Sequence, residues 1–435
     1  MEQKQHKRAI FGWTMYDWAN SAFVTTITAA VLPVYYSSVA ASDLPDYLRT
    51  AYWGYTVTIA LLIVAILGPI LGAMADFRGA KKRFLTAFAL IGVCGAGLLY
   101  FVQQGDWLMA SIFFIIGNVG FSGANVFYDS LLPHVATPEE SDMVSSRGFA
   151  MGYLGGGILL AVNLVMILTA PDAAATALMS RISFVMVAVW WLVFTTPLWV
   201  WVKEPVRRII KGEEHFNPVQ ASFSRLGHTF KEISKYKELF KFIVAFWLYN
   251  NGIGTIITMA TIYGTELKFS STTTIGTLLM VQFVAIPFSL LFGWLGKKIG
   301  TKKGILISIA VYAMIAIGGY FMKQEIHFWI LGFAVAMVQG GSQALSRSLF
   351  GRMLPKSKSA EFYSFFSVSE KVAGTVGPLL FGVVSTIMGG SRLSIVSLIV
   401  FFIAGGLLLT RVDEKEGIRI AQEEEQLLVQ AAVTE

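Results

Sequence analysis

The residues of this chain that could do chemistry are polar side chains set inside apolar runs. Tyr16, Asp17, Asn20 and Ser21 lie in the first run, and Asn118, Ser122, Asn125 and Asp129 in the fourth. Tyr249, Asn250, Asn251 and Thr255 lie in the seventh, and Gln339, Gln343 and Arg347 in the tenth. Each is costly in hydrocarbon and normally faces a bundle interior or a water-filled cavity. On a helix, Asn118, Ser122, Asn125 and Asp129 share an arc of about 60°, and Gln339, Gln343 and Arg347 one of about 80°. Amide and hydroxyl stripes of this kind suit hydrogen bonding to a small polar solute. Asp17 suits three roles that stay open: carrying a proton, anchoring a substrate ammonium, or pairing with an internal arginine or lysine.

Such residues need membrane-spanning elements to position them. Of the 435 residues 55% are hydrophobic and only 14% charged, with a mean hydropathy of +0.63; a soluble chain carries about 25% charged residues. Twelve apolar runs approach the length of a spanning helix. They lie near 11–36, 52–75, 84–103, 108–131, 147–170, 182–202, 241–264, 273–296, 304–322, 326–350, 365–388 and 393–411. The expected fold is therefore an all-α polytopic membrane protein with twelve transmembrane helices. Runs three, six, nine and twelve carry almost no polar residues and read as peripheral. Arg49, Arg181, Lys268, Lys323 and Arg392 are the only five of 34 basic residues on one set of loops. The other set, with both termini, is expected to face the cytoplasm. The +7 charge sits in these short loops, which argues against a nucleic-acid partner. Cys94, the only cysteine, lies within a run and excludes an intrachain disulfide. No cleavable signal is expected, since the first run is too long and aromatic for one.

The chain is also a duplication. Gly72, Asp76, Gly79, Lys81 and Lys82 are answered by Gly293, Lys297, Gly300, Lys302 and Lys303 at a separation of 221, and Pro133, Gly152 and Gly155 by Pro355, Gly374 and Gly377 at 222. A repeat of this length in a membrane protein implies two bundles meeting at an interface where substrate can sit. Subtracting 222 from Arg347 gives Asn125, one turn before Asp129, so these opposite charges stand at similar depths in different halves. They form a candidate cytoplasmic gate. The alternative pairs them locally, Asp129 with Arg147 and Arg347 with Glu370. The glycines 152, 155, 156 and 157 suit close helix packing, or a bend during switching.

The loop of Gly72, Asp76, Gly79, Lys81 and Lys82 resembles the signature loop of the major facilitator superfamily. The runs Tyr16 to Phe23 and Gln339 to Phe350 resemble the branch containing the fungal autophagy-related vacuolar amino-acid effluxers and their bacterial permease relatives. One departure is Asn251, where the resemblance leads to an acidic residue. The family implies two pseudo-symmetric six-helix bundles whose first, fourth, seventh and tenth helices line a central cavity. The expected domains are an amino-terminal bundle at 1–202, a cytoplasmic linker at 203–240, a carboxy-terminal bundle at 241–411 and a cytoplasmic tail at 412–435. The loop residues, Asp76 included, are read as holding the loop's shape and topology.

The function expected is a monomeric secondary transporter of the plasma membrane, moving a small solute by alternating access. The resemblance points to neutral amino acids, with a coupling proton as partner; an amphipathic drug or other metabolite is the alternative. A channel is the rival of another class, and it lacks the ring of identical charges a filter would use. The chain has no Walker A sequence, its five histidines have no ligand spacing, and no carboxylate cluster suits an intramembrane transferase. No enzyme activity, metal or cofactor is expected.

Overall fold

The computed structural model describes residues 2–205, 236–373, 376–388 and 391–433. Most of the expected linker, together with Gly374 and the side chain of Glu370, lies outside the described residues. All described elements are helical. α1 (Glu2–Ala22) continues without a break to Ala40, its hydrogen bonding widening to a larger turn over Phe23–Val31 and Tyr36–Ala40. There follow α2 (Asp46–Arg78), α3 (Lys81–Leu98), α4 (Trp107–Val135), α5 (Ser141–Leu168) and α6 (Ala173–Trp201). The second part holds α7 (Lys237–Glu266), α8 (Ser271–Ile299), α9 (Thr301–Tyr320) and α10 (Glu325–Arg352). α11 (Ser359–Ala373), α12 (Val376–Met388), α13 (Ser391–Ser397), α14 (Ile399–Thr410) and α15 (Glu414–Val433) complete it. Among the described residues, ten helices are long and apolar enough to cross a membrane.

Several helices begin earlier than the apolar runs do. α5 starts at Ser141 rather than at 147, because hydropathy is blind to a polar first turn. The expected tail is not bare chain: Glu414–Val433 is an amphipathic helix. It lies against α7 and α10, with Glu414 on Arg352 at 3.3 Å and Glu424 on Lys358 at 3.4 Å. We call the end of the molecule where α1 begins and α15 lies the terminal face.

The buried apolar side chains form two clusters. One runs from Ile10 to Val202, joined by Ala360, and the other from Tyr236 to Val412. They meet along two seams, α5 on α8 and α2 on α11. Small residues make these approaches possible. A Cβ on Gly72 would stand 2.6 Å from the carbonyl oxygen of Ala360, and one on Gly293 would stand 2.7 Å from the Cβ of Ser146. The glycines of α5 serve a seam within the first part, against α1. A Cβ on Gly155 would lie 2.5 Å from the carbonyl of Trp18, and one on Gly152 would lie 2.6 Å from Ser21 Oγ.

Backbone on one side and indole on the other leave no flexible atom to give way at Gly155. Gly155→Leu is therefore expected to destabilise the protein by about 1–3 kcal/mol or more, as overpacking does. Thermal unfolding in detergent checks this, and an unchanged midpoint would contradict the packing described.

Candidate functional site

Where the helices converge they enclose a cavity of about 520 Å³. Of the polar residues singled out in the sequence, Asp17, Asn20, Asn125, Asp129, Asn250, Gln339, Gln343 and Arg347 line it. Four of the ten expected cavity residues point elsewhere. Tyr16 is buried against Tyr128, with ring centroids 5.0 Å apart. Asn118 is buried and accepts a hydrogen bond from Ser122 Oγ at 3.1 Å. Tyr249 shares a 2.6 Å hydrogen bond with Ser346. Asn251 donates to the carbonyl of Trp247 at 2.7 Å and accepts from the amide of Gly377 at 3.1 Å, which ties α7 to the start of α12. Helix period and polarity by themselves do not tell a cavity face from a helix–helix face.

The floor of the cavity, toward the terminal face, is built on Arg347. This side chain leaves α10 and enters the first part between α1, α4 and α5. Its Nη1 donates to Asp129 Oδ1 at 3.1 Å and its Nη2 to Asp17 Oδ2 at 3.3 Å. Nε donates to Ser145 Oγ and Nη2 to the Ser145 carbonyl, each at 2.9 Å. Tyr128 Oη donates to the same Asp17 oxygen at 2.7 Å. The guanidinium lies 4.9 Å from the Trp13 ring and 4.4 Å from that of Phe149, a desolvated cation–π setting. Gly148 makes room: a Cβ there would stand 2.4 Å from Asp17 Oδ2. Two carboxylates against one guanidinium leave a single net negative charge, which a proton or a substrate ammonium can balance. Arg147, by contrast, is exposed in a separate groove.

Above the floor, Asn20 donates to Asn125 at 2.6 Å, and Gln282 of α8 adds an amide. Phe121, Phe149, Phe246 and Phe366 supply apolar wall. Gln282, Tyr128 and Ser145 escaped the sequence reading. Tyr128 stands 100° from Asp129 on the same helix, outside the stripe. Ser145 lies in the polar first turns of α5, which the apolar run omits.

Between floor and terminal face, further bonds join the two parts. Lys81 Nζ sits 2.9 Å from Asp76 Oδ1, both side chains almost wholly buried. It also donates to Ser359 Oγ at 2.6 Å and to the Lys356 carbonyl at 3.1 Å, while Asp76 Oδ2 accepts the amide of Glu361 at 2.8 Å. Asp76 thus satisfies an open N–H in the first turn of α11 and meets its positive dipole end. The loop therefore also reaches a helix of the second part. In the second copy the acid is missing, since Lys297 stands there, and the partner helix supplies it. Asp142 of α5 accepts from Thr301 at 2.6 Å and from Ser348 at 2.5 Å, and lies 3.6 Å from Arg352.

The two remaining signature lysines do one job a residue out of register. Lys82 Nζ donates to the carbonyls of Trp199 and Val202 at 2.6 and 2.7 Å, capping α6. Lys302 donates to those of Thr410 and Val412 at 2.8 and 2.7 Å, capping α14. Glu204 returns the favour by accepting the amides of Lys82 and Arg83 at 2.8 and 3.2 Å, although burial raises its carboxyl above the usual range.

Removing Arg347 strands two carboxylates in a desolvated place. Arg347→Ala is expected to cost about 3–5 kcal/mol, as the loss of one partner of a buried pair does. Adding Asp17→Asn should recover part of that loss, since one stranded charge disappears. Unfolding temperatures of the two single variants and the double variant form the check; an Arg347→Ala protein that melts with the parent would refute the assignment.

Comparison with known proteins follows the same lines. A family model described as vacuole effluxer Atg22 like matches residues 46–422. The chain is 40% identical over 421 residues to the uncharacterized MFS-type transporter YxiO of Bacillus subtilis (strain 168), covering 95% of this chain and 97% of that one. It is 24% identical over 463 residues to autophagy-related protein 22 of Yarrowia lipolytica (strain CLIB 122 / E 150), covering 86% and 78%. Its fold is similar to that of the proton:xylose symporter XylE bound to 6-bromo-6-deoxy-D-glucose, with a TM-score of 0.74 at 14% identity over 96% of this chain and 98% of that one. The transporter FucP in the outward conformation gives 0.71 at 12% identity, over 94% and 98%. The molecule is an integral, multi-pass, all-α membrane protein of the major facilitator type. With the matched region running from α2 into α15, the chain belongs to the Atg22-like vacuole effluxer family of the major facilitator superfamily.

Proposed function

We propose that this protein is a secondary active transporter that carries a small polar solute by alternating access. Two six-helix bundles, at 1–202 and 241–411, rock about the central cavity. The ten spans include α13 and α14 as one; α2 as another, and α11 with α12 as a further one, bring the spans to twelve. The linker at 203–240, the tail at 412–435 and both termini are cytoplasmic, and the membrane is the plasma membrane. The lysine and arginine distribution supports this orientation. The terminal face is then the cytoplasmic one.

The observation that carries the reading is the cavity of about 520 Å³ with a charged floor built from both parts of the chain. Arg347 joins α10 to α1, α4 and α5, and the Asp76–Glu361 and Asp142–Thr301 contacts add two more crossings below it. Contacts that exist only while this face is closed bias the equilibrium by their differential stability. Their rupture would open the same cavity toward the cytoplasm. Asn20, Asn125, Asn250, Gln339 and Gln343 offer donors and acceptors to a zwitterion. The surplus negative charge of Asp17 and Asp129 over Arg347 suits either an ammonium group or a coupling proton. Neutral amino acids fit this chemistry best. The aromatic walls favour one second reading, an amphipathic solute taken up flat against Phe121 and Phe246.

Proteoliposomes loaded with a panel of labelled neutral amino acids, with and without a pH gradient, test the proposal. Saturable flux of at least one is expected, enhanced by the gradient. Asp17→Asn should abolish gradient-driven accumulation while keeping counterflow exchange, because exchange needs binding but no net proton movement. Full accumulation by that variant would rule out Asp17 as the proton carrier. Single-channel currents from the purified protein would overturn the transporter itself.

A further inference from the structure

A second groove, also about 520 Å³, opens sideways near the terminal face, apart from the central cavity. Its walls are α1, α5 and α8, so both parts of the chain contribute. The mouth carries two exposed cations, Lys7 of α1 and Arg147 of α5. Among the described residues no carboxylate lies within ion-pair distance of either, and the neighbouring Glu140 is taken up by His6 at 2.7 Å. That hydrogen bond also holds the Glu140 carboxyl below its usual range. Inward the lining turns apolar, with Phe11, Leu154, Ile286 and Leu290. Leu154 stands seven residues beyond Arg147 on the same helix, which is about 10 Å of depth. One leaflet of hydrocarbon is about 15 Å thick.

The geometry points to a binding site for one anionic phospholipid of the leaflet at the terminal face. Its phosphate sits between Lys7 and Arg147, and one acyl chain runs down the groove between α1, α5 and α8. The two cations complement the headgroup charge, since basic side chains at this depth attract anionic lipid. Each methylene buried along Leu154 and Ile286 adds to retention. Because the groove wall includes α8 as well as α1 and α5, the lipid touches both parts of the chain at once. Neither cation belongs to the central site, so the assignment stands apart from the identity of the transported solute.

Native mass spectrometry of the full chain, delipidated and then mixed with phosphatidylglycerol and phosphatidylcholine, reads the preference directly. The parent is expected to retain one phosphatidylglycerol in preference to phosphatidylcholine. Lys7→Ala with Arg147→Ala should reduce that preference about 30-fold. The charge-conserving pair Lys7→Arg and Arg147→Lys should keep it, which separates lost binding from lost folding. Leu154→Trp, which fills the groove, should lower retention while the cations remain. Neutralising Arg83 and Lys303, exposed at the terminal-face starts of α3 and α9, which do not line the groove, should leave retention unchanged. The site would be overturned by an undiminished preference in the Lys7 and Arg147 alanine variant, or by an equal loss on neutralising Arg83 and Lys303. Equal thermal stabilisation by soluble glycerol 3-phosphate would assign the cations to a free anion instead and overturn the lipid.

Discussion

The guanidinium of Arg347 is the constraint around which the rest is arranged. A charge placed among Trp13, Tyr128 and Phe149 has lost most of its water, so nearly every N–H must find an acceptor. It finds Asp129, Asp17 and both oxygens of Ser145. Those acceptors belong to α4, α1 and α5, so a single side chain from α10 holds three helices of the other part. Tyr363 Oη, donating to the Arg347 carbonyl at 2.9 Å, extends the linkage to α11. Burial makes the pairing demanding: desolvation offsets much of the Coulomb attraction, but a partner left alone is expensive. Such a contact specifies one arrangement of the helices more than it stabilises the chain as a whole.

The same principle recurs nearer the face in two unequal forms. In one, Asp76 and Lys81 of the first part engage the short helical turn Lys356–Lys358 and the first turn of α11. In the other, the loop between α8 and α9 has lost its acid, and Asp142 at the start of α5 provides the negative charge from the opposite side. Duplication preserved the place of the contact while the acid stands on the loop in one copy and on the helix opposite in the other. Lys82 and Lys302, in contrast, act within their own parts, each closing the last carbonyls of a helix. The structure thus holds both kinds of contact, ones that tie helices within a part and ones that cross between the parts.

The cavity follows from this arrangement. Helix crossings that are tight at the terminal face, where Gly72, Gly293 and Ser146 permit close approach, diverge above the floor and leave room for a solute. α1 contributes Asp17, Asn20 and Ser21 to that space immediately before its hydrogen bonding widens at Phe23. Widened turns of this kind redirect side chains and are frequent near functional sites. Val24 and Thr25, on the widened part, complete the lining.

The amino-acid sequence by itself determined the membrane class, the repeat and the family. Apolar length is a one-dimensional property, set by the thickness of hydrocarbon, and a duplication leaves residue-by-residue matches such as Gly79 with Gly300. It also narrowed the site, because polar groups in lipid are rare enough that Asp17, Asn125 and Gln343 stand out without any structure. Tertiary structure alone decided which of them face one another. Asn118 and Asn125 share a stripe, yet one is buried between helices and the other lines the cavity, since they stand about 10 Å apart along the helix and the cavity lining does not extend to the level of Asn118. Asp129 and Arg347 stood equally open to local partners and to each other, and only the packing of α10 against α4 and α5 brought them to 3.1 Å. Asp142, Ser145 and Thr301 were silent in the sequence for a different reason. Their chemistry is ordinary at a polar helix end, and it becomes particular only when the end of another helix is pressed against it.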